Sequence, residues 1–231
     1  MTEATLLARL SKSPLLEGVS PDSLQTLVAQ AKALQSYPAG RTLLLEDAGG
    51  SVVYLLLSGW IKIRRSTPTD PLTLAVLGSP CWFGEMAVLE QSPRSGDVVS
   101  LSDVEVLPIR APEFKQLLMR EPILSFRLAQ ALAQRLRQTN QLFYLRQQSA
   151  AVRLLFVLVQ LASIYGEPLP RGKQIMNVSQ HDLADLASVT VQEATTILER
   201  LQQQKAVLIN DSSGKMELLQ YEKMLQATQL I

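Results

Sequence analysis

The chain has 231 residues, 47% hydrophobic and 19% charged, with 22 Lys and Arg against 21 Asp and Glu for a formal net charge of +1. That length serves one large or two small domains with proper cores, and the composition is that of a soluble globular protein. No window holds about 18 uninterrupted apolar residues, so a helical membrane span is excluded. The start, "MTEATLLARLSKSPLLEGVSPDSL", lacks the charged-then-apolar layout of a secretion signal. A single cysteine, Cys81, cannot form an internal disulfide, which fits a reducing cytoplasm. With His181 as the one histidine, the chain supplies neither a structural zinc site nor the ligands of an iron–sulfur cluster.

Residues 5–34 read as short helices. Ser20 is placed to cap one of them, Pro21 takes its first position, and Leu24, Leu27, Val28 and Ala31 follow at helical spacing. From 37 to 110 the texture changes to short apolar runs, "RTLLLEDAGGSVVYLLLSGWIKIRR" and "LTLAVLGSPCWFG" among them, broken by Gly, Pro, Ser and Asp. Closely spaced strands of this kind predict a β-sandwich or barrel, with Gly40, Gly50, Gly59, Gly78, Gly84 and Gly96 at or near its corners.

Within that region "FGEMAVLEQSPRSGDVV", residues 83–99, sets Glu85 directly after a glycine and Arg94 nine residues later. Two readings fit. One is a solvated turn with an incidental Glu–Arg pair; the other is a pocket for a sugar phosphate. In the second, Gly84 admits a ligand close to the backbone, Glu85 accepts from a ribose hydroxyl, and the Arg94 fork matches two phosphate oxygens. Backbone N–H groups near Ser95 and Gly96 complete an anion nest.

"APEFKQLLMREPILSFRL" turns helical, and a long helix starts at Pro122. Ala129, Leu132, Leu136, Thr139, Phe143 and Arg146 step by 3, 4, 3, 4 and 3, the spacing of a coiled-coil seam with two polar members. The preferred reading is a parallel dimer helix; the bland one is an amphipathic helix packed on its own barrel.

Beyond residue 150 come "AAVRLLFVLVQLASIYG", "SQHDLADLASV", "TVQEATTILERLQQQKAV" and "LINDSSGKMELLQ". They read as helix, helix–turn–helix, and a hairpin turning at Ser213-Gly214, the layout of a winged helix. Ser179 caps the first helix of the turn motif with support from Asp182, and Thr190 caps the second. That second helix offers Val191, Gln192, Thr195 and Thr196 to a major groove; the alternative is a helical hairpin of pure packing. Seven basic residues from 150 onward face eight acidic ones, Asp211 included, for a net −1. Phosphate neutralisation supplies most nonspecific DNA affinity. Weak, salt-sensitive binding through Lys173, Arg200 and Lys215 is therefore expected, or else a job other than DNA binding.

The order of these parts resembles the cyclic-AMP receptor/fumarate-nitrate regulator superfamily of bacterial transcription regulators, over nearly the whole chain. Its most specific piece is "FGEMAVLEQSPRSG", similar to the phosphate-binding cassette of cyclic-nucleotide-binding domains. The resemblance implies an α+β fold with a cyclic-nucleotide-binding β-roll over 1–120, a dimerisation helix over 121–148 and a winged helix-turn-helix domain over 149–231. It implies ligand contacts from Phe83, Gly84, Glu85, Met86, Arg94 and Ser95, with Glu85 on the ribose 2′-hydroxyl and Arg94 with Ser95 on the cyclic phosphate. Thr139 and Asn140 are placed against the base. It implies a cytoplasmic homodimer that binds double-stranded DNA through Ser179, Thr190, Val191, Gln192, Thr195, Thr196, Arg200 and Lys215. RNA polymerase or another regulator is a further possible partner; no membrane, cofactor, metal or catalysis is implied.

Three departures from the family pattern stand out. Gly96 replaces the usual alanine. The second helix of the turn motif has no arginine before Arg200, where many members read guanine with Arg and Glu. Arg146 in the seam, with Arg64, Arg65 or Arg137, would suit a doubly charged ligand, so cyclic di-GMP stands beside cyclic AMP as the effector. The rival reading is a second-messenger effector that works through a protein partner and has little DNA affinity of its own.

Overall fold

The computed structural model describes residues 2–31, 33–210 and 212–229; Asp211 of the charge count lies outside them. The chain divides into two compact units, residues 1–72 with 76–137, and residues 73–75 with 138–231.

The first unit opens with α1 (Glu3–Leu10) and α2 (Pro21–Gln30). Ser20 caps α2, its hydroxyl accepting from the Ser23 N–H at 3.3 Å, with Pro21 in the first turn, where its missing N–H costs nothing. The strands follow as β1 (Gln35–Tyr37), β2 (Thr42–Leu44), β3 (Val52–Ser58), β4 (Trp60–Arg65), β5 (Leu72–Gly78) and β6 (Cys81–Phe83). After α3 (Glu85–Glu90) come β7 (Asp97–Ser100), β8 (Val104–Arg110), α4 (Ala111–Arg120) and α5 (Pro122–Tyr144). Two four-stranded sheets result, ordered β1-β8-β3-β6 and β2-β7-β4-β5, and the pairs with recorded register are antiparallel. The central pair β3·β8 sets Val53 against Ile109 and Leu55 against Leu107, all buried. Around them Leu10, Leu24, Trp82, Phe114, Leu124 and Leu128 close one core, with the Trp82 and Phe114 rings tilted at 5.3 Å. The predicted strand region is thus a pair of antiparallel sheets. Residues 85–90, within the stretch read as a loop, form a short helix.

The α5 seam is divided. Leu124 and Leu128 are buried and Leu132 packs against the same core, so the first half of the helix serves its own roll. Further on, Leu136 and Phe143 are 62% and 67% exposed, an apolar edge the single chain leaves open. Arg146, expected in the seam, falls instead in a 3-10 turn, Leu145–Gln147. Leu145 is buried there, and the Gln148 N–H closes the turn on the Leu145 carbonyl. Arg146 stacks on the Phe143 ring at 5.0 Å.

The second unit contains α6 (Ala150–Tyr165), β9 (Glu167–Pro168), β10 (Lys173–Met176), α7 (Gln180–Ala187), α8 (Val191–Gln203), β11 (Val207–Asn210), β12 (Lys215–Leu218) and α9 (Tyr221–Gln229). Leu154, Leu158, Val159 and Ala162 of α6 form the floor on which Leu183, Ala187, Ala194 and Leu198 of the turn motif are buried. The hairpin is larger than the sequence indicated: β11 and β12 join β10 and β9 in one sheet ordered β11-β12-β10-β9. Gly214 turns it with φ +63°, a backbone state that costs glycine little.

Candidate functional site

Glu85 and Arg94 are both buried, at 2% and 5% exposure, so the solvated-turn reading fails. They are placed by short-range geometry. Gly84 enters α3 with φ +74°, and Gln91 leaves it in the left-handed region at φ +55°. The return segment is pinned to the loop before β3: Arg94 N–H donates to the Ala48 carbonyl at 2.9 Å, and Asp47 N–H donates to the Arg94 carbonyl at 3.0 Å.

No ion pair joins Glu85 to Arg94. Arg94 donates through Nη1 to the Gly84 carbonyl at 2.5 Å and through Nη2 to the Val52 carbonyl at 2.6 Å. Burial lowers its pKa, offset in part by Tyr54 and Glu85, and a guanidinium remains charged throughout. Arg94 is thus a buried cation held by neutral carbonyls, with N–H groups to spare among its five. Gly84 is needed for this grip, since a Cβ there would lie 2.7 Å from Arg94 Nη1.

Glu85 pairs instead with Arg135 of α5, Nη1 to Oε1 at 2.7 Å, while Arg135 Nη2 donates to the Trp82 carbonyl at 2.7 Å. Arg135 was not singled out in the sequence. Its signal was its place one helical turn before Thr139, but nothing in the spacing ranks it above Arg137.

The remaining candidates spread out. Phe83 is fully buried and stacked on Tyr54 at 5.1 Å, so its side chain supports the cassette from within. Met86 is 45% exposed, and Ser95 is exposed beside Arg94. Thr139 and Asn140 are exposed positions on α5, as is Arg137. Arg64 pairs with Asp97 at 3.1 Å and Arg65 with Glu46 at 2.9 Å, so both have carboxylate partners already. At Cys81, burial pushes the thiol up to about 12, which keeps it protonated and inert.

In the second unit Ser179 caps α7, its hydroxyl accepting from the Asp182 N–H at 3.1 Å and donating to the Asp182 carboxylate at 2.7 Å. Thr190 and Glu193 form a full capping box on α8. Val191, Gln192, Thr196 and Arg200 are exposed, whereas Thr195 is half-buried with its hydroxyl 2.6 Å from Gln180 Oε1. Lys215 lies at the start of β12, 3.9 Å from Glu167, and Lys173 sits over the Tyr221 ring at 4.6 Å. His181 is exposed on α7, 3.7 Å from Asp185. Among the described residues no His, Cys, Asp and Glu cluster could hold a metal, and no helix is long and apolar enough to cross a membrane.

Residues 34–121 match the family described as "Cyclic nucleotide-binding domain", which spans both sheets and the Glu85–Arg94 cassette. A protein named "Cyclic AMP receptor protein" from Thermus thermophilus is 28% identical over 197 residues, 84% of this chain and 88% of its own. Over most of its length the chain is similar to members of the cyclic-AMP receptor/fumarate-nitrate regulator superfamily. Superfamily likeness continues past the roll. A "CRP-like cAMP-activated global transcriptional regulator" from Mycobacterium tuberculosis is 25% identical, with 88% of this chain and 95% of the relative covered. The same fold appears in the c-di-GMP responsive global regulator of Xanthomonas campestris, with a TM-score of 0.66 at 21% identity over 87% of this chain and 99% of that one. The chain has the expected α+β architecture.

Proposed function

We propose that this protein is a homodimeric, DNA-binding transcription regulator whose effector is a cyclic nucleotide, with cyclic AMP the ligand of choice. The observation that carries the reading is Arg94, a buried guanidinium without a carboxylate partner, one residue's carbonyl away from a buried Glu85. Arg94 turns spare N–H groups to the cyclic phosphate, Ser95 adds a hydroxyl, and the Glu85 carboxylate accepts from the ribose 2′-hydroxyl. Because Glu85 is tied to Arg135, nucleotide binding is felt on α5 directly. That differential contact shifts the population of winged-helix placements by as much as the two states differ in affinity, and no more. The open Leu136–Phe143 edge of α5 supplies the dimer seam.

A second reading is favoured by the −1 balance beyond residue 150 and by exposed Arg137 and Arg146. In it, the protein answers to cyclic di-GMP and acts through a protein partner. The pairing of Arg64 and Arg65 with carboxylates weighs against their joining such a site.

Titration calorimetry against cyclic AMP, cyclic GMP and cyclic di-GMP, with Arg94→Leu as control, decides between them. Binding of cyclic AMP at one per subunit, abolished in the folded variant, is expected. Unchanged affinity in Arg94→Leu would sink the cassette reading, and preference for cyclic di-GMP would favour the second.

A further inference from the structure

Helix α8 turns a narrow set of side chains outward over its first two turns. Ala194 and Leu198 are buried, while Val191, Gln192 and Thr196 face solvent. What these groups can still bond is restricted by bonds already made. The Glu193 carboxylate is committed to the capping box, accepting from Thr190 N–H at 2.8 Å and from its hydroxyl at 2.9 Å. The Thr195 hydroxyl is engaged by Gln180 and by the Val191 carbonyl, and the Thr196 hydroxyl donates to the Gln192 carbonyl at 2.9 Å. Left facing outward are the Gln192 carboxamide and the methyl groups of Val191 and Thr196.

We propose that the base pairs contacted by the first two turns of α8 are A·T pairs, with Gln192 reading adenine and the Val191 and Thr196 methyls meeting thymine. The inference rests on the DNA-binding reading above and names what that interface selects. Guanine shows two acceptors in the major groove, N7 and O6, and is read bidentately by the cationic donors of an Arg or Lys. None stands here before Arg200, eight residues and about 12 Å farther along the axis. Cytosine shows only the N4 donor, whose usual partner is a carboxylate, and would leave the carboxamide's own donor unmatched. Glu193 is spent in its cap, and Glu199 lies about 10 Å beyond Gln192, past the N-terminal turns that enter the groove. The carboxamide carries one donor and one acceptor side by side, the complement of adenine N7 and N6. The thymine C5 methyl is the apolar mark of the same pair.

The test is selection of random-sequence duplexes by the full-length protein at about 50 mM salt, where phosphate contacts are least screened. Parallel arms contain no nucleotide, cyclic AMP or cyclic di-GMP. Enriched half-sites are expected to hold adenine at one position and A·T pairs around it. In Gln192→Ala that adenine preference should fall about 5- to 150-fold, and Gln192→Arg should convert the position to guanine. Both changes are on an exposed side chain, and circular dichroism melting verifies that each variant is folded. G·C pairs at the position that Gln192→Ala erases would overturn the inference while leaving DNA binding intact. No enrichment in any arm would overturn the DNA-binding reading and the inference with it.

Discussion

A Cβ at Gly96 would lie 2.6 Å from the Arg64 carbonyl oxygen, where the cassette's return passes into β7 beside β4. Backbone cannot swing aside as a long side chain can, so the alanine usual in the family has no room in this chain. Gly96→Ala is expected to cost about 1–3 kcal/mol as overpacking, read as a shift in the urea midpoint; equal stability would mean that β4 and β7 part at little cost. This departure was visible in the sequence, but its reason was not, because the carbonyl that forbids the methyl comes from 32 residues earlier. The same holds at Arg94 and Arg135. A glycine, a carboxylate and an arginine at cassette spacing could be read directly. The carboxylate's actual partner could not, since two arginines share "RLRQTN" and only the folded chain distinguishes them.

At the scale of elements, local rules did well where the signal was local. Ser20, Ser179 and Thr190 all cap the helices assigned to them, because a hydroxyl or carboxylate next to free N–H groups decides those ends within four residues. The helix α3 was lost among the glycines and prolines around it; its left-handed ends are Gly84 and Gln91, and the second carries no glycine signal. Strands β9 and β10 were missed because β10 is held by a nonlocal partner, β12, where Ile175 meets Met216, and β9 pairs in turn with β10. The α8 cap also makes a pH prediction. Hydrogen bonds from the Thr190 backbone, then from its hydroxyl, hold the Glu193 carboxyl below its ordinary pKa. With the folded value the lower one, the stabilisation is complete above the unfolded value of ~4.3 and is lost as pH falls through the folded value. Glutamine keeps the cap but not the charge. The Tm advantage of the natural chain over Glu193→Gln should therefore shrink to nothing on acidification through that window. A gap independent of pH would assign it to uncharged contacts.

For the whole molecule, near-neutral charge sets the character of any encounter with DNA. Field-driven steering needs a basic face, and the +1 net charge gives the chain little of it. Of the three cations singled out for phosphate, Lys173 is drawn onto the Tyr221 ring. The Lys215–Glu167 pair is long, and both ends are largely exposed, so it holds Lys215 only weakly. Arg200 is exposed at the end of α8. Two available cations per subunit make four in a dimer, and each neutralised phosphate lowers log K against log salt by roughly 0.9. Binding to a selected duplex, followed by fluorescence anisotropy across salt, should therefore show a slope of about −4. A slope near −10 would mean that cations outside this face join the interface. A slope near zero would mean that the winged helix does not hold phosphate, and that the regulator's output passes through protein contacts instead.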